Sequence, residues 1–279
     1  MPEGARPVSV QGPGPFVTRA VYELGGAELV WSSRPHRKRL LAGRSRPALA
    51  WRTRSWWIAV LFMIGSACFA LGAVPGYVSL VGLGADGATF FVGSIFFTSA
   101  ATLQYVEVVN TPPAAGHPTA TRFVSWEPGR IDWLATSIQL VGTVFFNIST
   151  FRAMLESIDD SSANLLSWRP DALGSLCFLV ASWLAFAEAG HGWLSWRPDD
   201  LGWVISALNL AGSIFFGLSA IGAYVVSSTG EPLNAALANS GTFIGAIGFL
   251  IGAALLIPEA SRAAPADPAM LSETTRRTP

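Results

Sequence analysis

The stretch "GTFIGAIGFLIGAALLIPE", Gly241–Glu259, carries no charge before its last residue and belongs to an uncharged run from Pro232 to Pro258. A helix needs about 17–25 mostly apolar residues to cross a bilayer. Similar uncharged runs occupy residues 55–85, 87–106, 133–151, 172–187 and 201–230. The run at 172–187 reaches spanning length if Glu188 sits at the membrane interface. The pattern therefore predicts six transmembrane helices.

The composition agrees with this prediction. The chain has 279 residues, of which 51% are hydrophobic and 13% are charged, and its mean hydropathy is +0.43. A soluble domain carries about 25% charged residues. A transmembrane β-barrel is excluded because its strands alternate between apolar and polar residues, whereas these runs are continuously apolar. The predicted fold class is an all-α integral membrane protein.

Charge is distributed unevenly along the chain. Met1–Arg54 contains ten Lys or Arg and three Asp or Glu, and segments on the same side of six spans hold sixteen of the eighteen basic residues. Positively charged segments stay in the cytoplasm. We therefore expect a multi-pass protein of the bacterial plasma membrane with both termini cytoplasmic. The expected domains are a basic, partly disordered tail at 1–54, a membrane domain at 55–259 and a disordered tail at 260–279.

The spans repeat one pattern three times. The first, third and fifth spans share columns of Trp, Gly and Phe: Trp56, Trp133 and Trp203; Gly65, Gly142 and Gly212; Phe69, Phe146 and Phe216. The second, fourth and sixth share columns of Gly, Phe and Glu: Gly93, Gly174 and Gly245; Phe97, Phe178 and Phe249; Glu107, Glu188 and Glu259. The prediction is three helical hairpins, at about 51–112, 125–191 and 195–260. Because each has two spans, they are parallel repeats about a threefold axis normal to the membrane.

A short motif precedes three of the spans. "SWRPD" occurs at Ser167–Asp171 and at Ser195–Asp199, and a related "SWEPG" occurs at Ser125–Gly129. Proline suits the first turn of a helix, because its missing N–H has no partner there, and Trp favours the membrane interface. The motif therefore predicts the start of a helix at the membrane surface.

The segment "GFLIGAALLIPE", Gly248–Glu259, and its counterparts in the other even spans resemble the YrhK-like membrane domain of bacteria. The whole chain resembles multi-pass membrane proteins of unknown function from actinobacteria. The resemblance implies a hairpin fold and a membrane location, and it implies no activity.

Polar residues inside spans are costly and point to function or to helix pairing. The candidates are Glu107, Glu188, Glu259, Gln139, Asn209 and Asn147. The glutamates end the even spans, and two readings are open: an acidic ring around a cavity, or outward-facing carboxylates that pair with Arg130, Arg197 or the N-terminal tail. The outward interpretation is favoured because Glu259 follows Pro258, where the helix is expected to end. Glu188 is expected to be the most buried of the three. The amides are expected to form interhelical hydrogen bonds.

The remaining expectations concern partners and chemistry. Arg34–Arg54 is expected to contact anionic lipid headgroups or to act only as a topology signal. Gly241, Gly245, Gly248 and Gly252 line one helix face, which predicts close packing either within the chain or in a homo-oligomer. Signatures of enzymes are missing, and no catalytic residue, cofactor, metal site or nucleic-acid partner is expected. Two functions remain open: a structural, scaffold or partner-binding bundle, or permeation of a small solute or cation.

Overall fold

The computed structural model describes residues 6–24, 27–38, 53–111, 121–155 and 164–261. Within them, six helices are long and apolar enough to cross a membrane. In chain order the helices are α1 (Ser33–Arg37), α2 (Arg54–Gly72), α3 (Tyr77–Val81), α4 (Leu83–Val109), α5 (Ile131–Met154), α6 (Arg169–Gly190), α7 (Leu201–Gly222) and α8 (Ala235–Ser261). A wider helical turn, Asn164–Trp168, leads directly into α6. The prediction of an all-α protein with six membrane-spanning helices is confirmed.

The six long helices form a closed ring. Each packs against the next long helix along the chain, and α8 returns to pack against α2. The hairpin partners are α2 with α4, α5 with α6, and α7 with α8. Apolar side chains such as Ile95, Val141, Ile214 and Ile251 remain exposed on the outside of the ring. These are the surfaces that a lipid bilayer covers.

Six phenylalanine rings fill the centre of the ring of helices, one from each long helix. The odd-span rings Phe69, Phe146 and Phe216 form a triangle with centroids 6.0–6.2 Å apart. The even-span rings Phe97, Phe178 and Phe249 form a second triangle with centroids 5.7–6.0 Å apart. Contacts of 5.0–5.5 Å within each hairpin join the two triangles. We call these six rings the Phe core, and none of them is more than 7% exposed.

Glycines of the repeat columns bring the two helices of each hairpin together. A Cβ atom on Gly65 would lie 2.9 Å from the carbonyl oxygen of Gly93, and one on Gly212 would lie 2.9 Å from that of Gly245. The corresponding distance in the second hairpin, from Gly142 to the carbonyl oxygen of Gly174, is 3.2 Å. A larger residue would force these backbones apart. The three hairpins thus use equivalent contacts, while their superposition about one axis stays a prediction.

The glycine face of α8 packs within the chain. A Cβ on Gly241, Gly245 or Gly248 would meet the backbone of α7 at 2.8–3.2 Å, and one on Gly252 would meet Oδ1 of Asn209 at 2.5 Å. Small residues allow this close approach, which replaces the hydrophobic driving force that helices lack in lipid. The face proposed for a homo-oligomer is therefore occupied by α7 of the same chain.

A small antiparallel sheet precedes the spans and was not predicted from the sequence. Its strands are β1 (Arg6–Gln11), β2 (Arg19–Leu24) and β3 (Ala27–Ser32), in the order β1-β2-β3. On β2, Ala20 and Tyr22 are buried, as expected for a strand that covers one surface. Part of the tail expected to be partly disordered is thus folded. Residues 39–52, and 262–279 of the tail expected to be disordered, lie outside the described residues.

The short sheet β4 (Val225–Val226) and β5 (Glu231–Pro232) connects α7 to α8. It lies at the end of the bundle opposite to α1. We call these the distal end and the N-terminal end of the bundle.

Candidate functional site

The first turn after the sheet enters the N-terminal end of the bundle and meets the buried carboxylate of Glu188. Arg37 of α1 donates two hydrogen bonds to Glu188, Nη1 to Oε1 at 2.7 Å and Nη2 to Oε2 at 3.2 Å. Ser33 Oγ donates to Oε1 of the same carboxylate at 2.7 Å. Arg37 Nη1 also reaches Asp132 Oδ2 at 3.2 Å. Because Glu188 is 1% exposed and Arg37 6% exposed, this pair is shielded from water.

Glu259 forms a second buried ion pair with the same segment. Arg34 donates from Nε to Oε1 at 2.8 Å and from Nη2 to Oε2 at 3.2 Å, and Lys38 Nζ also donates to Oε2. Gly202 makes room for this contact, since a Cβ there would lie 2.9 Å from Arg34 Nε. The glutamates at the ends of α6 and α8 are thus neutralised by cations 150 residues or more away in sequence.

Glu107 has a different environment. It accepts a hydrogen bond from Ser55 Oγ at 3.1 Å, and among the described residues no Lys or Arg lies within ion-pair distance of it. The residue that precedes the repeated Trp also differs between the three hairpins: it is Ser55 in the first, Asp132 in the second and Gly202 in the third. The three hairpins therefore differ in sequence and contacts at the layer where α1 inserts. Helix α1 has no counterpart in the repeats, so its insertion breaks their symmetry.

We call Arg34, Arg37, Lys38, Asp132, Glu188 and Glu259 the ion-pair cluster. Burial opposes the charge of Arg37, but the carboxylates of Glu188 and Asp132 outweigh it and raise the pKa of its guanidinium above its usual range. Burial lowers the pKa of the Lys38 ammonium below its usual range, despite the nearby Glu259. Arg37 therefore stays charged, and its positive charge is the fixed element of the cluster.

The expectation that the glutamates point outward is wrong for two of the three. Glu188 and Glu259 are 1% and 5% exposed and face the interior of the bundle. For Glu259 the expectation assumed that α8 ends at Pro258, but the helix continues to Ser261. Glu188 is the most buried of the set, as expected. Pairing with the N-terminal tail was among the predicted alternatives, whereas Arg130 instead pairs with Glu127 and Asp132.

A cavity of about 70 Å³ lies between the ion-pair cluster and the Phe core. Gln139 and Asn209 line it together with Gln104, Glu107, Ser182 and Ser206. A space of this size holds a few water molecules, each needing about 10–15 Å³. Gln139 and Asn209 form no hydrogen bond within the described residues, so the expected interhelical bond is missing for both.

Asn147 lies elsewhere and has the partner that was expected. Its Nδ2 donates to Thr98 Oγ1 of α4 at 2.9 Å, which joins α5 to the neighbouring hairpin. Its Oδ1 is buried without a partner in the described part of the chain. Asn147 therefore acts in helix pairing and lies apart from the ion-pair cluster.

The repeated motif has two different structural roles. Trp133 Nε1 donates to the carbonyl oxygen of Ser125, and Trp203 Nε1 donates to that of Ser195, both at 3.1 Å. The neighbouring Trp of each motif packs on this ring, with centroids 5.2 Å apart in both loops. Trp168 instead donates to Ala220 of α7 at 2.7 Å. The looser copy at 125 is thus the structural counterpart of the copy at 195.

The sheet is joined to the bundle by contacts beside the loop that contains the motif copy at 195. Thr18 Oγ1 and His191 Nδ1 lie 3.0 Å apart, and the ring of Trp193 lies 3.5 Å from where a Cβ of Gly14 would stand. His191 adopts a left-handed conformation with φ of 58° directly after α6. Burial and the cations Arg197 and Arg19 lower the pKa of His191. The folded protein therefore favours the neutral form of this imidazole.

Asp132 was not among the predicted site residues, and the cations Arg34, Arg37 and Lys38 were not predicted individually. The basic stretch that contains these three cations was expected to contact lipid headgroups or to act only as a topology signal, and the N-terminal tail was one alternative partner for the glutamates. In the structure all three cations face carboxylates of the protein. The rest of that basic stretch, 39–52, lies outside the described residues. The position of Asp132 in the sequence could have indicated a role, since it directly precedes Trp133 of the repeat.

The ion-pair cluster holds α1 against the bundle by buried ion pairs. It contains no nucleophile beside a general base, and among the described residues no group of three His, Cys, Asp or Glu side chains could hold a metal ion. Comparison with known proteins finds no matching family model, curated protein or solved structure.

Proposed function

We propose that this integral membrane protein is a structural, partner-binding bundle that presents its N-terminal sheet at the cytoplasmic face. The observation that carries the proposal is the Phe core, which fills the axis where a solute path would run. The excess of basic residues at the N-terminal end supports its cytoplasmic placement. The resemblance to YrhK-like hairpins adds a membrane location and no chemistry, and it stays a prediction.

The Phe core opposes passage through the axis. Its nine ring contacts, at centroid distances of 5.0–6.2 Å, are normal packing distances for aromatic side chains. A charge inside an apolar membrane interior costs at least about 3 kcal/mol. An ion would have to lose its water and displace six packed rings. The geometry therefore favours a closed structural element.

The sheet has the features of a surface that binds a protein. It is held on the bundle by the ion-pair cluster through α1 and by Thr18 at His191. Val8, Val10 and Val30 remain 41–58% exposed, and β1 and β3 each pair only with β2 among the described strands. An extended segment of a partner can add to such an edge by backbone hydrogen bonds. We therefore place the partner-binding surface at β1.

Site-specific photo-crosslinking in cells tests this proposal. A crosslinking residue at Val10 should give one discrete adduct, and the same residue at Leu233, which is equally exposed at the distal end, should give none of that size. The variant Ser9→Pro should abolish the adduct, because proline disrupts strand pairing. Equal labelling from both positions would argue against a binding surface on the sheet.

Permeation of a small solute or cation remains the second candidate function. One observation favours it: polar cavities lie on both sides of the Phe core, and α1 closes the one at the N-terminal end. Rings of apolar side chains can act as gates. This function requires the six rings to separate, and flux through reconstituted protein distinguishes it from a closed bundle.

A further inference from the structure

A second, larger cavity opens at the distal end of the bundle, on the other side of the Phe core. Its volume is about 890 Å³, and residues of all six long helices line it. Phe69 of the Phe core closes its floor. Ligand pockets in proteins usually measure about 300–1,000 Å³. The cavity is therefore a pocket of ligand size that ends blind at the Phe core.

Two carboxylates in this cavity have no partner among the described residues. Oδ1 of Asp86 is shielded from solvent and accepts no hydrogen bond within the described residues. Asp171 is half-buried in the first turn of α6, lines the cavity, and forms no hydrogen bond or ion pair in the described part of the chain. The cluster at the N-terminal end shows the contrast, because there Asp132, Glu188 and Glu259 all have cations. Both carboxylates lie in the first turn of their helices at the distal end. A charge taken out of water is costly unless it is paired, so these carboxylates are candidates to bind a cationic group.

The other residues of the cavity indicate what chemistry completes it. Among the described lining residues there is no Lys, Arg or His, so the lining supplies negative charge only. Hydroxyl and amide groups from Ser149, Thr150, Ser219, Asn239 and Thr242 add hydrogen-bonding partners. The rings of Phe90 and Trp168 add aromatic surface, which attracts organic cations as well as apolar groups. The lining thus combines anionic, polar and aromatic contacts.

We propose that the distal cavity binds an organic ammonium ion, a molecule with one protonated amine and an apolar part, through Asp86 and Asp171. The amine supplies the donors that both carboxylates lack among the described residues, and the aromatic side chains cover the apolar part. Trp168 and Asp171 of "SWRPD" belong to this site, a role that the copy at 195 does not share. This proposal goes beyond partner binding by the sheet, because a blind pocket can be filled whichever partner the sheet binds.

The test uses the full-length protein in nanodiscs and isothermal titration calorimetry with 2-phenylethylammonium as the probe. Its neutral counterpart, 2-phenylethanol, has nearly the same shape and lacks the charge. We expect the ammonium ion to bind at least about tenfold more tightly, as charge-assisted hydrogen bonds are stronger than neutral ones. Empty nanodiscs measure the heat of partitioning into lipid.

The variant Asp171→Asn should weaken binding of 2-phenylethylammonium by about tenfold or more, and Asp86→Asn provides a second variant should the first fail to fold. Glu231→Gln is the matched control, because it removes an exposed carboxylate from the same end of the protein. It should leave the affinity unchanged. Equal affinity for 2-phenylethanol, absence of binding to the unmodified protein, or an equal loss in Glu231→Gln would each overturn the proposal. Failure of the crosslinking experiment on the sheet would leave this result unaffected.

Discussion

Replacement of Arg37 by Met should destabilise the protein far more than the loss of one surface charge. Arg37 is 6% exposed and makes contacts of 2.7 and 3.2 Å to Glu188 and 3.2 Å to Asp132. Removing one member of a buried ion pair costs about 3–5 kcal/mol, because the other charge stays buried without a partner. Asp132 keeps Arg130 at 2.7 Å. The cost therefore comes mainly from Glu188, and we expect a loss of about 3 kcal/mol.

Equilibrium unfolding in mixed detergent micelles, followed by tryptophan fluorescence, measures this loss. Arg54→Met is the matched control, since Arg54 is an exposed cation at the start of α2 on the same side of the membrane. The double variant Arg37→Met with Glu188→Gln should recover much of the loss, with a coupling energy of about 2 kcal/mol. If Arg37→Met and Arg54→Met lost equal stability, or if the effects of Arg37 and Glu188 simply added, the cluster would not hold α1 in the bundle.

Three further variants test other parts of the fold. Asp200→Ala should cost about 1 kcal/mol of unfolding free energy, because its carboxylate accepts from the first amides of α7; the neighbouring Asp199→Ala should change little in the same unfolding assay. Phe178→Ala should cost about 3–5 kcal/mol as a cavity in the Phe core, while the lipid-facing Val180→Ala should cost much less. Because the pKa of His191 is lowered in the folded protein, the unfolded state binds a proton at this residue at a higher pH than the folded state does. The contribution of His191 to the free energy of unfolding is therefore complete above the ordinary pKa of 6.5 and is lost as the pH drops below that value. His191→Asn, which tolerates the left-handed backbone, should flatten the dependence of the melting temperature on pH between about pH 7.5 and 5.5; an unchanged slope would assign it to other groups.

Much of the membrane domain follows from periodicity in the sequence. The columns of Gly and Phe predicted which faces meet, because a helix that places Gly93 and Phe97 on one face brings both to the same neighbour. The columns also contained the answer for the glutamates. Glu259 lies fourteen residues after Gly245, close to four helical turns, and therefore returns to the face that packs inside the bundle. The expectation of an outward side chain rested on Pro258, because spacing from the glycine column fixes the face of the helix but not what that face meets.

The insertion of α1 could not be derived in the same way. A basic stretch next to a span is explained equally well by topology and by lipid headgroups. Pairing of the tail with the glutamates was therefore only one of several alternatives. The carboxylates that attract it are about 95–225 residues away and converge only when the ring of helices closes. The sheet was missed for a related reason: Ala20 and Tyr22 are a weak apolar pattern, and the surface they cover is built by other parts of the chain.

Cation flux through the purified protein in liposomes is the most direct test of a bundle closed by the Phe core. Liposomes loaded with a potassium-sensitive dye would report the influx of potassium after a concentration step, with valinomycin as the positive control and protein-free liposomes as the background. The packed rings predict influx equal to the background for the unmodified protein. Influx above the background that Glu188→Gln reduces and Glu231→Gln leaves unchanged would contradict a closed axis and establish permeation.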